Sequence, residues 1–363
     1  MKPIRKKRII LWLLGIVCLS IHILGYFPLV VEKGYSTGFY PVFSKQLRFL
    51  TGWLPWSLGD LLYGLLVIWL VWKILQFIKW VYKVKFKELS ISFYKEKAGK
   101  GLMYLACIYI GFNVFWGINY DRKGIRWQLG LPSQKYTEAE LIEMNGLLLN
   151  KLNEGKAYLL RQQLKLPDVK GLVPDVKKAY RQASFKYSFL KYENESLKPG
   201  LWSAWQSYTG ITGYYNPFTG EAQVNKNIPA FLLPYTSCHE VAHQLGYAKE
   251  DEANFVGYLA AMSSTDTLFH YSVYFDLFLY ANRNLYMLDS IAAKTFSEKL
   301  SNEVRADIMA MRKYQRQHRS FLQPVIIWIY TQFLLGNRQP QGILSYDEVV
   351  GFIIAYHKKF KVI

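Results

Sequence analysis

The sequence predicts a mainly α-helical protein with a small β-sheet, in which three N-terminal membrane helices carry one large domain. Three observations lead there. Apolar runs at 9–31, 61–78 and 101–118 are each long enough to cross a bilayer. Basic residues are shared unevenly among the segments that flank those runs. The remainder alternates helical periodicity with one Trp-, Tyr-, Thr- and Gly-rich stretch at 202–225. The expected division is a membrane region over 1–118 and an extracytoplasmic domain over 119–363.

Ile9–Val31 and Gly101–Ile118 contain no Lys, Arg, Asp or Glu, and Leu61–Ile78 is broken only by Lys73. Apolar residues surround each segment instead of forming a stripe, as a helix in lipid requires. Lys2, Arg5, Lys6, Lys7 and Arg8 give the chain a basic start, as in a secretory signal. The run that follows is too long for one, however, and Phe27-Pro28-Leu29 stands where a small-x-small cleavage site would. An uncleaved helix is expected. Lys79, Lys83, Lys85, Lys87, Lys95, Lys97 and Lys100 lie between the second and third runs. Only Lys33, Lys45 and Arg48 lie between the first and second. The positive-inside rule puts the N-terminus and the Lys-rich loop in the cytoplasm and everything after Asn119 outside. Lys73 is expected to snorkel from near the cytoplasmic end of its helix.

The net charge is +19. Many of its cations are these anchors, and the others are scattered, with no basic helix or nucleic-acid module. Lipid, not nucleic acid, is therefore the expected partner. Cys18 and Cys107 fall in membrane runs, and Cys238 is alone in the outer domain, so no disulfide is expected there. Cys238 precedes His239 but points to another helix face, which makes it a packed small residue.

Within the domain, Thr137–Arg161 reads as a helix opened by a Thr137/Glu140 capping box, and Pro174–Leu190 as a second with proline in its first turn. Strands are expected at Ile211–Tyr215 and Glu221–Asn225, joined through Asn216-Pro217 and Thr219-Gly220. Tyr235-Thr236-Ser237 is expected to cap the next helix. Helices follow at Glu250–Met262, Tyr271–Tyr286, Ala292–Gln315 and Tyr346–His357, the last capped by Ser345. Phe321–Leu335 is apolar but short for a crossing.

His239-Glu240-Val241-Ala242-His243 is the most telling local pattern. Residues four apart share a helix face, so His239 and His243 can grip one metal ion. Glu240 is placed to take a proton from a water that the metal activates. A catalytic zinc also needs a third protein ligand and an open position. Gly246 can adopt positive φ, end the helix and turn the chain back. In H-E-x-x-H-x-x-G-x-x-H proteases a third histidine follows such a turn. Here that position is Lys249, so the third ligand is expected from a carboxylate: Glu250, or alternatively Glu252. Asn254, one turn beyond Glu250, is placed to orient a ligand histidine. Without the histidines the same residues would read as a solvated acidic helix start. The His/His/Glu set favours one Zn2+ per chain. Tyr271, Tyr274 and His270 are the candidate oxyanion or substrate contacts, and a strand edge at 211–215 or 221–225 could hold an extended peptide.

Glu250-Asp251-Glu252-Ala253-Asn254 resembles the E-x-x-A-[DN] helix of membrane-linked zinc peptidases such as the CAAX-processing family, with a shorter spacer after His243. A wider resemblance rests on three stretches behind N-terminal membrane helices: Gly213-Tyr214-Tyr215-Asn216-Pro217-Phe218-Thr219-Gly220-Glu221-Ala222, Cys238 through Gly246, and Asp251 through Phe255. Together they are similar to a family of bacterial inner-membrane proteins classed as a domain of unknown function. That resemblance covers nearly the whole chain. It implies a zincin-like metallopeptidase domain at 119–363, on the periplasmic or extracellular side, acting on a peptide or protein substrate. A non-catalytic metal-binding sensor or scaffold of the envelope is the alternative expectation, and the intact Glu240 argues against it.

Overall fold

The computed structural model describes residues 3–83, 90–132, 135–163 and 166–363. Lys2, Lys85 and Lys87, three of the basic anchors, lie outside the described residues, as do the side chains of Arg5 and Lys6.

Among the described residues, three helices are long and apolar enough to cross a membrane, and their apolar spans are unburied. They run over Pro3–Leu24, Leu58–Lys83 and Ile91–Phe115, not over the apolar runs alone. The first stops at Leu24 because Gly25 and Pro28 follow. The second and third continue into the lysine-bearing flanks, since lysine is a good helix former and its long side chain can reach water from a helix end. Lys73 therefore sits well inside its helix instead of near its end, with its ammonium 4.5 Å from the Trp72 ring centroid.

The helix ends sort into two groups. Lys7 pairs with Glu96 at 3.4 Å, which brings the basic ends of the first and third helices together. The other ends converge on the domain. Gly25 abuts Asp121, Gly59 abuts Asn216, and the Trp116 ring lies 4.7 Å from Tyr215. The connection between the first two membrane helices is itself structured, as a π-helical stretch Val31–Phe39 and a helix Tyr40–Gly52. Both pack onto residues beyond 118.

The domain is mainly helical around a three-stranded sheet. Strand β1 (Leu197–Pro199) was not anticipated; it pairs parallel with β3 (Glu221–Val224), and β2 (Gly213–Asn216) pairs antiparallel with β3 on its other side. The order β1-β3-β2 leaves β2 at an edge. β2 starts at Gly213, not Ile211, because residues 203–209 form a short helix closed by Gly210 at φ +78°. The helix Glu138–Arg161 has the anticipated capping box. The next helix starts at Val169, ahead of Pro174, because Asp168 caps it by accepting from the Gly171 N–H at 2.8 Å. Ala292–Gln315 divides into Ser290–Glu298 and Asn302–Gln317, where Ser301 caps a fresh start. The last helix begins at Val349 after a 3-10 segment, so Ser345 is not its cap.

The core is aliphatic and aromatic. Leu148 and Leu152 of Glu138–Arg161 pack with Phe275 and Phe278 of the aromatic helix Thr267–Leu288, while Tyr180 and Phe255 close it from the sides. The helix Leu233–Gln244, which bears the histidines, is buried along its whole length between this core and the sheet. Leu232, not the Tyr235-Thr236-Ser237 triplet, precedes it. Pro234 in its first turn needs no N–H partner, and the Tyr235 N–H is taken by the Ser272 hydroxyl at 3.1 Å.

One buried carboxylate joins membrane helix to sheet. Glu221 accepts from the backbone N–H groups of Leu58 at 3.0 Å and Gly59 at 2.5 Å, at the start of the second membrane helix. Lys198 of β1 reaches the same carboxylate at 2.6 Å and also donates to Thr51 and Trp56 carbonyls. Negative charge at a helix N-terminus and a fully enclosed ion pair thus share one side chain. Glu221→Ala would strand the Lys198 charge in the interior, a cost of about 3–5 kcal/mol. The expected outcome is a clearly lowered unfolding temperature of the full chain in nanodiscs. An unchanged transition would remove the pair from the structural framework.

Candidate metal centre

The site is built where two helices cross. Gly246 adopts φ +89° and ends the histidine helix. A Cβ there would strike the Tyr40 ring and approach Asn119, so only glycine fits both the backbone and the space. The turn returns the chain into Glu250–Met262. That helix then crosses the first at Gly257, where a Cβ would lie 3.1 Å from the His239 backbone nitrogen. The close crossing sets Glu250 against both histidines.

Three electron-pair donors meet there. His239 Nε2 and His243 Nε2 are 3.1 Å apart, and Glu250 Oε2 lies 3.2 Å from the first and 3.5 Å from the second. Ligand atoms around a tetrahedral zinc, at bond lengths near 2 Å, stand about 3.3 Å apart. The three atoms therefore fit three corners of such a shell. Glu250 Oε2 has no hydrogen-bond partner although it is buried. His243 Nδ1 is 2.7 Å from the Tyr247 carbonyl, an arrangement that places its proton on Nδ1 and leaves Nε2 as the donor of a lone pair.

The electrostatics describe the same need for positive charge. Burial would lower the His243 pKa, but the adjacent Glu250 outweighs it and the group rises to about 9. Burial would likewise raise Glu250, yet the two imidazoles hold it far below the usual carboxylate range. A metal ion bound at the same place would supply that positive charge in place of a proton.

Glu240 has a different position. One of its oxygens lies within 4.8 Å of both imidazoles, and its Oε2 is buried without a partner. The carboxylate stands against Gly213 of β2, where a Cβ would come within 2.5 Å of Oε1. Burial, opposed by the two histidines and aided by Glu250, pushes Glu240 up to about 7. Glu250 thus completes the triangle, and Glu240 borders it.

The structure separates the remaining expectations. Glu252 points to the opposite side, with its Oε1 against Gly124, and does not reach the histidines. The Asn254 amide donates to the Tyr346 carbonyl at 3.2 Å and bonds neither histidine. Tyr271 donates to Asp307, Tyr274 to the Ile363 carbonyl, and His270 Nε2 faces the Ser264 carbonyl at 2.8 Å. These last three side chains serve packing and helix ends, because aromatic residues recur around the whole of that helix. Cys238 is buried and free, as expected of a packed thiol.

Sequence reasoning missed the groups that hold the cluster in place. Tyr330 donates to Glu250 Oε1 at 2.5 Å, which aims Oε2 at the histidines. The Tyr346 ring stacks on His239 at 6.0 Å, and Trp116 meets His243 edge-on at 5.9 Å. Arg48 donates to the Gln244 carbonyl at 3.1 Å and Arg122 to the Gly246 carbonyl at 2.9 Å, cations at the negative end of the helix. Arg122 is in turn held by Glu32 through a two-pronged pair at 2.8 and 3.1 Å. No local spacing links these residues to the motif.

A cleft of about 640 Å³ opens over the cluster. Gly213, Tyr214 and Tyr215 of the edge strand form one wall, and Tyr330, Phe333 and Tyr346 another. Tyr330→Phe would free Glu250 to rotate. Loss of such an orienting bond typically weakens metal affinity by about 10–100-fold. Competition for zinc with a chelating dye measures this on the full chain, and equal affinities would remove Tyr330 from the site.

No curated protein and no solved structure matches the chain. The family model that matches is described as "Protein of unknown function (DUF3810)" and covers residues 35–354. That match takes in the helix Tyr40–Gly52, two of the three membrane-length helices, the sheet and the whole cluster, and the chain therefore belongs to the DUF3810 family.

Proposed function

We propose that this protein is a membrane-anchored zinc-dependent peptidase with a zincin-like catalytic domain. The observation that carries the reading is the triangle of His239, His243 and Glu250 donor atoms with Glu240 at its border. Zinc bound there would supply Lewis acidity that lets a water ionise near neutral pH. Glu240, raised by burial, is tuned to accept that proton and pass it to the leaving amine. The Trp116 and Tyr346 rings limit solvent around the histidines. β2 is the only strand of the sheet whose free edge borders the cleft, and β3 is paired on both sides, so an extended substrate would add to β2. Gly213 keeps the backbone there bare, next to Glu240.

The same reading places the domain outside the cytoplasm. It is supported by the basic residues gathered at the membrane-helix ends remote from the domain. In a bacterium the compartment would be the periplasm or the cell exterior.

Glu240→Gln tests the chemistry, because it removes the proton acceptor and keeps the triangle. Purified protein should retain stoichiometric zinc while cleavage falls by about 100-fold or more. Membrane-proteome fragments that appear with the wild type and vanish with Glu240→Gln would identify substrates. Wild-type protein without zinc, or identical fragment sets, would end the reading.

A further inference from the structure

The helix Gln323–Gly336 takes no part in the triangle beyond Tyr330, yet its surface is unusual. Its fourteen residues carry no charge. One face, with Ile326, Tyr330 and Phe333, lines the cleft. The face beside it leaves Val325, Trp328 and Ile329 more than half exposed. At 1.5 Å per residue the helix is about 21 Å long, short of the ~30 Å hydrocarbon core.

Its ends are tied to the membrane helices at one level. At the C-terminal end, Phe333 packs on Phe112 near the domain end of the third membrane helix, ring centroids 5.9 Å apart. Just beyond, Arg338 pairs with Asp121 and donates to the Gly25 carbonyl behind the first membrane helix. At the N-terminal end, Ser320 donates to the Tyr208 carbonyl, in the short helix Ser203–Thr209. The residue before that short helix, Trp202, donates to the Asp60 carbonyl in the first turn of the second membrane helix. The apolar helix thus runs alongside the domain-facing ends of all three.

From this we infer that Gln323–Gly336 is an interfacial helix, seated by its Val325–Trp328–Ile329 face in the bilayer leaflet on the domain side. An uncharged helix too short to cross, held against the domain-facing ends of the membrane-length helices, fits the headgroup–acyl boundary. The half-exposed Trp202, Trp205 and Tyr208 beside its N-terminal end are the aromatic types that favour that depth. Arg316 and Arg319, both exposed, precede it and match anionic headgroups. The cleft wall formed by Tyr330 and Phe333 is then the inner face of a lipid-seated helix, and the cleft opens at the membrane surface. This inference does not depend on peptidase activity.

The test uses the full chain with Cys18 and Cys107 changed to Ser, in nanodiscs of phosphatidylethanolamine and phosphatidylglycerol. An environment-sensitive fluorophore is attached at Val325→Cys, at Ile329→Cys, or at the control Met309→Cys on the exposed face of Asn302–Gln317. The expected result at 325 and 329 is loss of most emission when the lipid carries a nitroxide near the top of its acyl chain, with little loss to aqueous iodide. Met309→Cys should behave in the opposite way. Iodide quenching at 325 and 329 without nitroxide quenching would overturn the inference. So would shielding from both quenchers, which would mean that a second copy or another protein covers the face.

Discussion

The architecture turns on a local electrostatic demand. Two imidazole nitrogens and a carboxylate oxygen converge to between 3.1 and 3.5 Å at the largely buried floor of a cleft. Lone pairs at such distances repel unless a positive charge sits among them, and burial weakens the screening by water. Every neighbouring feature enforces that convergence. Gly246 turns the chain, Gly257 lets the helices approach, Tyr330 aims Glu250, and Tyr247 fixes the His243 ring. The arrangement is one that a bound cation would favour, as a preformed ligand set requires.

Part of this was legible in the sequence because it is local. Four-residue spacing fixes the shared face of His239 and His243, and Gly246 signals the turn by its type alone. The acidic helix begins so soon after the turn that one of its carboxylates returns near the histidines, and spacing alone left Glu250 and Glu252 both open. The membrane helices were also readable, since hydropathy depends on composition and not on contacts. Their ends were less so, because the lysines that mark an apolar boundary do not stop a helix. What escaped is the long-range part. Strand β1, only three residues long, has no periodic signal. Tyr330, Tyr346 and Trp116 come from segments far from the motif in sequence, and nothing in their spacing connects them to it. The same density of tyrosines drew attention to Tyr271 and Tyr274, which face Asp307 and the chain end. Asn254 lay at the right spacing on its helix, but its amide is taken by the Tyr346 backbone.

Membrane and domain are not independent modules joined by a linker. Residue 118 divides them in sequence but not in space. Glu32, Tyr40 and Arg48, from the connection between the first two membrane helices, bind Arg122, Tyr215 and the Gln244 carbonyl in the domain. Glu221 and Lys198 return the attachment from the sheet to the start of the second membrane helix. The edge strand that borders Glu240 belongs to that same sheet, so its position is tied to the start of the second membrane-length helix through two buried charges.

The two arginines at the end of the histidine helix have a consequence for biogenesis. Arg48 and Arg122 flank the second and third membrane helices in the chain, and both leave the ribosome well before residue 239. During vectorial synthesis their carbonyl acceptors at Gln244 and Gly246 do not yet exist, and Arg122 can meet only Glu32. The end of the histidine helix therefore gains these two cations only after both apolar helices and more than a hundred further residues have been made.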